Sequence, residues 1–272
     1  MAKLFRFLEN PTTGSWVIIS SKRSKRPGIK EAVTKKLCPF CPGDEKSEKE
    51  IFRIGSGQES DWEIRVVPNK FPFTDIHEII IHSKDHHKNF EELSDEQNEK
   101  ILFTYRERYR GLETRGQVYI FHNSGRSGGE SLTHPHTQIA ALPFNVTLRT
   151  PKILKITNLI KRTKLYNIFC PAVSEWPYEV WAAPLRRIKT FGEVDSEELR
   201  ELAIILKKLL LRLSSRFGHG FSFNLYIYPF RDWYLRIIPR QKSLGGLEVG
   251  TGIMVVSVEP KSAKEFFQKI QF

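Results

Sequence analysis

The chain has 272 residues, a formal net charge of +12, 40% hydrophobic residues and 27% charged residues. That composition excludes intrinsic disorder, and the length fits two domains of about 150 residues or one large one. No run approaches the roughly 20 apolar residues of a membrane helix, the first residues lack the apolar stretch of a secretory leader, and three cysteines are too few for a disulfide scaffold.

The elements follow in chain order. The basic cluster Lys22-Arg23-Ser24-Lys25-Arg26 comes first; taken alone it reads as a solvated face. Cys38-Pro39-Phe40-Cys41 follows, and in a reduced compartment this spacing reads as metal or redox chemistry. No thioredoxin-like βαβ pattern surrounds the pair, which favours metal. His77 to Ile81 reads as a strand, and Ser94 caps an amphipathic helix through Ile101, Leu102 and Tyr105, with Gln97 at the capping-box position. Strands are expected at Gln117–Phe121 and Thr137–Leu142. The same order then recurs. Tyr178 to Ala182 aligns without gaps on His77 to Ile81, Glu179 on Glu78, Phe191 on Phe90, and the Asp195/Glu198 cap on Ser94/Gln97. The second helix runs through Leu202, Ile205, Leu206 and Leu209 and stops near Gly218 and Gly220. Strands at Phe221–Tyr228 and Trp233–Ile238 and a last helix from Pro260 to Ile270 complete the chain. Antiparallel strands with one packed helix in each half give an α+β class, and the repeat predicts two units, 1–150 and 151–272, packed as an intramolecular pseudo-dimer.

The richest stretch runs from Phe121 to Gln138. Gly125, Gly128 and Gly129 make a loop whose amides can wrap a phosphate, and His134-Pro135-His136-Thr137-Gln138 follows at once. On a strand, residues two apart share a face, so His134 and His136 can serve one site, with Gln138 next in phase. Pro135 stiffens the pair. A structural zinc site needs four Cys or His ligands. Cys38 and Cys41 supply two thiolates; the residues alone leave His77, His82, His86, His87, His122 and His134 as candidates for the other two.

These motifs resemble the galactose-1-phosphate uridylyltransferase family of the histidine-triad superfamily over nearly the whole chain. The matching segments are Arg23-Ser24-Lys25-Arg26-Pro27, Cys38-x-x-Cys41, Val67-Pro68-Asn69-Lys70-Phe71-Pro72, His77 to Ile81, Ser83-Lys84-Asp85-His86, Asn123-x-Gly125 through His134-Pro135-His136-x-Gln138, and Gly246 to Gly252. The resemblance implies a duplicated histidine-triad-like fold. It implies one structural zinc ion on Cys38, Cys41, His86 and His134, with His136 as nucleophile. It carries nucleotide contacts onto Arg23, Arg26, Asn69, Asn123, Gly129 and Ser131, and a sugar contact onto Glu248. The implied reaction moves a nucleoside monophosphate from a nucleoside diphosphate hexose to a sugar 1-phosphate through a covalent nucleotidyl-histidine, with UDP-glucose and a hexose 1-phosphate of galactose metabolism as the first substrates. Glycine-loop amides and the Gln138 carboxamide would stabilise phosphoryl charge. Hydrolytic members of the superfamily carry a third histidine where Gln138 stands, so glutamine favours transfer over attack by water.

The second half departs from the pattern. Arg187 stands where the first copy has His86, and Trp233-Tyr234-Leu235-Arg236 stands near the position of the histidine pair. No second metal is therefore expected, and the Trp-Tyr-Leu run is similar to the ADP-glucose phosphorylase branch, which gives the alternative reading of adenylyl transfer to phosphate. A zinc-stabilised nucleic-acid-binding module is the reading from another class; no nucleic-acid motif supports it, and it leaves His134 to Gln138 without a purpose. Cys170 reads as a buried thiol. The expected setting is cytoplasmic, without membrane or nucleic-acid partners, and compatible with a homodimer.

Overall fold

The computed structural model describes residues 4–25, 38–43, 45, 49–56 and 61–272. A hairpin of β1 (Phe5–Glu9) and β2 (Trp16–Ser20) stands apart from a ten-stranded sheet. The sheet comprises β3 (Phe52–Gly55), β4 (Trp62–Pro68), β5 (Ile76–Ile81), β6 (Gln117–Ser124), β7 (His136–Leu142), β8 (Leu159–Arg162), β9 (Tyr166–Phe169), β10 (Val180–Pro184), β11 (Phe223–Ile227) and β12 (Leu235–Pro239). Its order is β3-β4-β5-β7-β6-β11-β12-β10-β9-β8, and its pairs are antiparallel. The mixed α+β class is as expected. The β6–β11 pair makes the sheet continuous across residue 150, with Asn123 opposite Asn224.

Two long helices, α1 (Asp95–Leu112) and α2 (Ser196–Phe217), pack on one another and on one face of this sheet. Their apolar residues recur at helical spacing, so Ile101, Leu102 and Tyr105 of α1 meet Leu202, Ile205, Leu206 and Leu209 of α2 in one core with Ile80, Ile120, Leu225 and Ile237 from the strands. Both caps form. The Ser94 hydroxyl accepts the Gln97 amide at 3.1 Å, and Asp195 and Glu198 close a full reciprocal box. The first box is only half made: the Gln97 carboxamide donates to the carbonyls of Glu63 and His82, tying the helix start to β4 and to the end of β5. α2 ends at Gly218, α3 spans Gly246–Thr251, and the final helix α4 spans Pro260–Phe267. Among the described residues, no helix is long and apolar enough to cross a membrane.

The opposite sheet face carries a smaller cluster of Cys38, Phe40, Cys41, Trp62, Val67, Ile79 and Ile81, and an aromatic cluster including Trp181, Tyr226, Tyr228 and Tyr234. Here the gap-free alignment of the two halves needs correction. Glu78 lies on the helix side and pairs with Arg108 of α1. Glu179 lies on the other side, bound by Trp181 and Arg236. Strand side chains alternate, so a one-residue slip of register reverses the face. The helices and Phe90/Phe191 keep the spacing; the two glutamates do not share a place.

Candidate active site

β5 and β7 lie side by side at the centre of the first half, with Ile81 opposite His136 and Ile79 opposite Gln138. Alternation puts His136, Gln138, Ile79 and His77 on the face away from the helices. The turn Cys38–Cys41 and the loop after β5 close over the start of β7. Cys38, Cys41, His86 and His134 are all buried, and their ligand atoms lie within 4.8 Å of one another. His86 Nδ1 is 3.2 Å from the Cys41 sulfur, and His134 Nδ1 is 3.5 and 3.7 Å from the sulfurs of Cys41 and Cys38. A tetrahedral ion bound at ordinary zinc distances separates sulfur from nitrogen by about 3.5 Å.

The far side of each ring supports the same fit. His134 Nε2–H donates to the Ser83 carbonyl at 2.9 Å, and His86 Nε2 is 3.1 Å from the Thr133 hydroxyl. Each outer partner leaves Nδ1 as the ligand nitrogen. Burial holds the His134 imidazole down to about 4, which keeps it neutral, as ligation requires. His87 is turned outward at the next position, its amide bound by Asp85.

His136 is buried beside this quartet. Its Nδ1–H donates to the carbonyl of His134 at 2.8 Å, so Nε2 is the unprotonated nitrogen. The Phe40 ring meets the imidazole edge-on, with centroids 5.2 Å apart. His136 and Gln138 line a cavity of about 240 Å³ together with Arg23, Asn69 and Ser131. Pro39, Phe40, Val67, Ile79 and Leu132 give that cavity an apolar wall.

Five of the expected substrate and catalytic residues thus meet in one cavity. Asn123 lies on β6, one residue past the His122–Thr137 pair, with Gly129 beside it; its side-chain Oδ1 accepts from the Asn224 carboxamide. Glu248 is not brought to the cavity. It sits on α3, where Lys242 and the Gly245 amide hold its carboxylate. Arg26 lies outside the described residues.

The glycine loop also differs from expectation. Gly125 has φ of 69°, and a Cβ there would meet the Ser222 hydroxyl at 2.2 Å, so only glycine fits. But its amide donates to the Glu130 carboxylate at 2.7 Å, and the amides of Gly128 and Gly129 close 3-10 turns within the loop. These three donors are spent on the loop itself and do not face a phosphate.

Two buried histidines that composition left open as metal ligands lie elsewhere. His82 and His122 stack, centroids 5.2 Å apart, on the helix side of β7. His82 Nε2 is 2.9 Å from the Thr137 hydroxyl, which also bonds Tyr105, and His122 Nδ1–H donates to the His136 carbonyl at 2.8 Å. In the second half, the Arg236 guanidinium fills the space between Glu175, Glu179 and Tyr226, at 3.0, 2.7 and 3.0 Å. Arg187 pairs with Asp232.

Comparison with known proteins bears on this geometry. Residues 75–145 match the family described as galactose-1-phosphate uridyl transferase, N-terminal domain. The chain is 23% identical to an ADP-glucose phosphorylase of Arabidopsis thaliana over 96% of this chain and 92% of that one. It is 24% identical to a galactose-1-phosphate uridylyltransferase of Thermotoga maritima over 93% and 95% of the two chains. A crystal structure of an ADP-glucose phosphorylase from Arabidopsis thaliana shares the fold with a TM-score of 0.76 over 98% of this chain and 100% of that one, at 23% identity. The motif-based resemblance to the galactose-1-phosphate uridylyltransferase family is thereby borne out, with the family's N-terminal domain falling on the stretch from β5 through β7.

Proposed function

We propose that the protein is a hexose-1-phosphate nucleotidylyltransferase, with UDP-glucose as donor and a hexose 1-phosphate as acceptor. The observation that carries this reading is the hydrogen bond from His136 Nδ1–H to the His134 carbonyl, which directs the Nε2 lone pair into a cavity shared with Gln138, Ser131, Asn69 and Arg23. Nε2 attacks the α-phosphorus. The bond from that phosphorus to the bridging oxygen breaks, and hexose 1-phosphate leaves with the electron pair. A phosphate oxygen of the acceptor then attacks the same phosphorus, and the nitrogen recovers its lone pair. This is covalent, ping-pong catalysis. The Gln138 amide and the Arg23 guanidinium supply the positive ends of dipole and charge for the phosphoryl oxygens. The apolar wall of Phe40, Val67, Ile79 and Leu132 suits a nucleobase.

One zinc ion on Cys38, Cys41, His86 and His134 belongs to the reading. Its contribution is structural: it ties the Cys38–Cys41 turn to the residue two before the nucleophile. Thiolate ligands of this kind persist in a reducing cytoplasm. The duplicated architecture is also part of the proposal, with units 1–150 and 151–272 as histidine-triad-like halves of a pseudo-dimer. Supporting it, β6 and β11 stand in the middle of the sheet order, and α1 and α2 lie side by side on one face.

A second reading, adenylyl transfer from ADP-glucose to phosphate, is favoured by one observation. The second half encloses a buried guanidinium, Arg236, where some uridylyltransferases have histidines for a second metal. Initial-rate assays separate the two. UDP-glucose with galactose 1-phosphate should yield UDP-galactose and glucose 1-phosphate, with parallel double-reciprocal lines. ADP-glucose with phosphate yielding ADP and glucose 1-phosphate, at the higher rate, would instead establish the second reading. Intersecting lines with both pairs would contradict the covalent mechanism.

A further inference from the structure

His77 is buried in the strand next to the nucleophile's, and the reaction as written above does not use it. Its Nε2 lies 3.0 Å from Oε1 of Gln138. The Asn69 carboxamide stands at the same junction, with Nδ2 3.4 Å from that oxygen and 3.2 Å from His77 Nε2. The orientation of Asn69 is itself settled, because its own Oδ1 accepts the Phe71 amide at 2.8 Å and so turns Nδ2 toward His77 and Gln138. The imidazole is held between rings: Phe73 at 4.1 Å and Phe121 at 6.4 Å between centroids, with the Arg23 guanidinium over the outer side of Phe73. His77 and Gln138 share a sheet face because His77 is two residues before Ile79, the cross-strand partner of Gln138.

A carboxamide has a donor end and an acceptor end, and only the donor end stabilises a phosphoryl oxygen. With His77 protonated at Nε2, both His77 and Asn69 donate to Oε1, and the Gln138 NH2 group is the end left for the cavity beside His136. Reversed, the amide would present a carbonyl oxygen to the substrate. That end repels phosphate and can instead accept a hydrogen bond from water. We infer that His77 is a positioning residue which fixes the Gln138 carboxamide with its donor toward the transferred phosphoryl group, and so sets the preference for transfer over hydrolysis. The inference rests on the nucleotidyl-transfer reading.

The test combines spectra and kinetics on the full-length, metal-loaded protein. Nitrogen-15 spectra of the imidazoles, recorded without substrate, should show His77 protonated at Nε2, and Q138A should shift that resonance. A His77 protonated only at Nδ1 would overturn the inference whatever the substrate is. Kinetically, Q138A should slow nucleotidyl transfer about a hundredfold, the scale of one lost oxyanion donor. H77L should slow it about tenfold, change KM for the donor little, and raise the share of covalent intermediate lost to water. The double variant H77L/Q138A should be no slower than Q138A alone, since His77 acts only through Gln138. H77Q, whose Nε2 can reach the place of the imidazole nitrogen, should restore transfer to within about threefold; it also covers the case in which H77L fails to fold. Full multiplication of the two losses in the double variant, or an H77Q as impaired as H77L, would overturn the role. If Q138A itself has no effect while H136A is dead, the assignment of Gln138 falls and His77 with it. If wild-type protein forms no nucleotidyl adduct, the functional reading fails, whereas the tautomer result still stands or falls alone.

Discussion

Replacing His122 with Asn removes a buried titratable ring while keeping an N–H donor near the reach of Nδ1, which holds the His136 carbonyl. His122 is 1% exposed, and burial, aided by the nearby His136, lowers its pKa from 6.5 to about 3; its hydrogen bond to the His136 carbonyl opposes this only in part. The groups facing it are His82, stacked on it, Tyr105 through Thr137, and His136. The folded protein keeps the ring neutral, whereas the unfolded chain takes up a proton below 6.5. Its contribution to stability is therefore complete above that value and lost as the pH falls toward 3. At pH 5 the loss is about 2 kcal/mol, from roughly 1.4 kcal/mol per pH unit over about one and a half units. Urea unfolding of wild type and H122N at pH 7.5 and 5.0, at one ionic strength, measures it. Wild type should lose about 2 kcal/mol more than H122N between the two conditions. Protonation of the metal ligands affects both proteins and cancels in the difference. Equal losses would refute the reasoning, because they would mean that His122 is not held neutral by its surroundings.

Two further outcomes are expected. C41S should lose bound metal by elemental analysis and lower the thermal midpoint by many degrees, since structural zinc is tied to folding free energy; a variant that retains one metal per chain would contradict the assigned ligands. L206A removes a fully buried side chain from the contact of α2 with the core and should cost about 2–5 kcal/mol in urea unfolding. Adduct formation by its folded population should be unchanged, and a larger effect on chemistry than on stability would show that α2 does more than support the sheet.

Much of this organisation was legible in the residues because it rests on short-range physics. The caps at Ser94 and Asp195 and the helical spacing of Ile101, Leu102 and Tyr105 are local rules, and both helices formed where those rules put them. The Cys38–Cys41 half of the metal quartet was readable from its spacing, whereas the choice of His86 and His134 among six histidines came from the family resemblance alone. What failed was parity and partnership. Glu78 and Glu179 occupy matching sequence positions, yet a single-residue slip sends them to opposite faces of the sheet. The glycine loop was expected to present its amides outward, but Glu130 supplies an acceptor from within. No periodicity reveals that a carboxylate will turn back on its own loop. The pairing of His82 with His122, and of His77 with Gln138, depends on strand order, which places β7 between β5 and β6. Sequence neighbours carry no trace of that order.

The most direct measurement is the intact mass of the metal-loaded protein after brief incubation with UDP-glucose, and separately with ADP-glucose, with no acceptor added. The account predicts a single uridylyl adduct per chain, absent in H136A and discharged by galactose 1-phosphate. An adenylyl adduct alone would keep His136 as nucleophile and transfer the protein to phosphorylase chemistry. No adduct from either donor, or an adduct that persists in H136A, would contradict the claim that the His136 Nε2 lone pair is the attacking group.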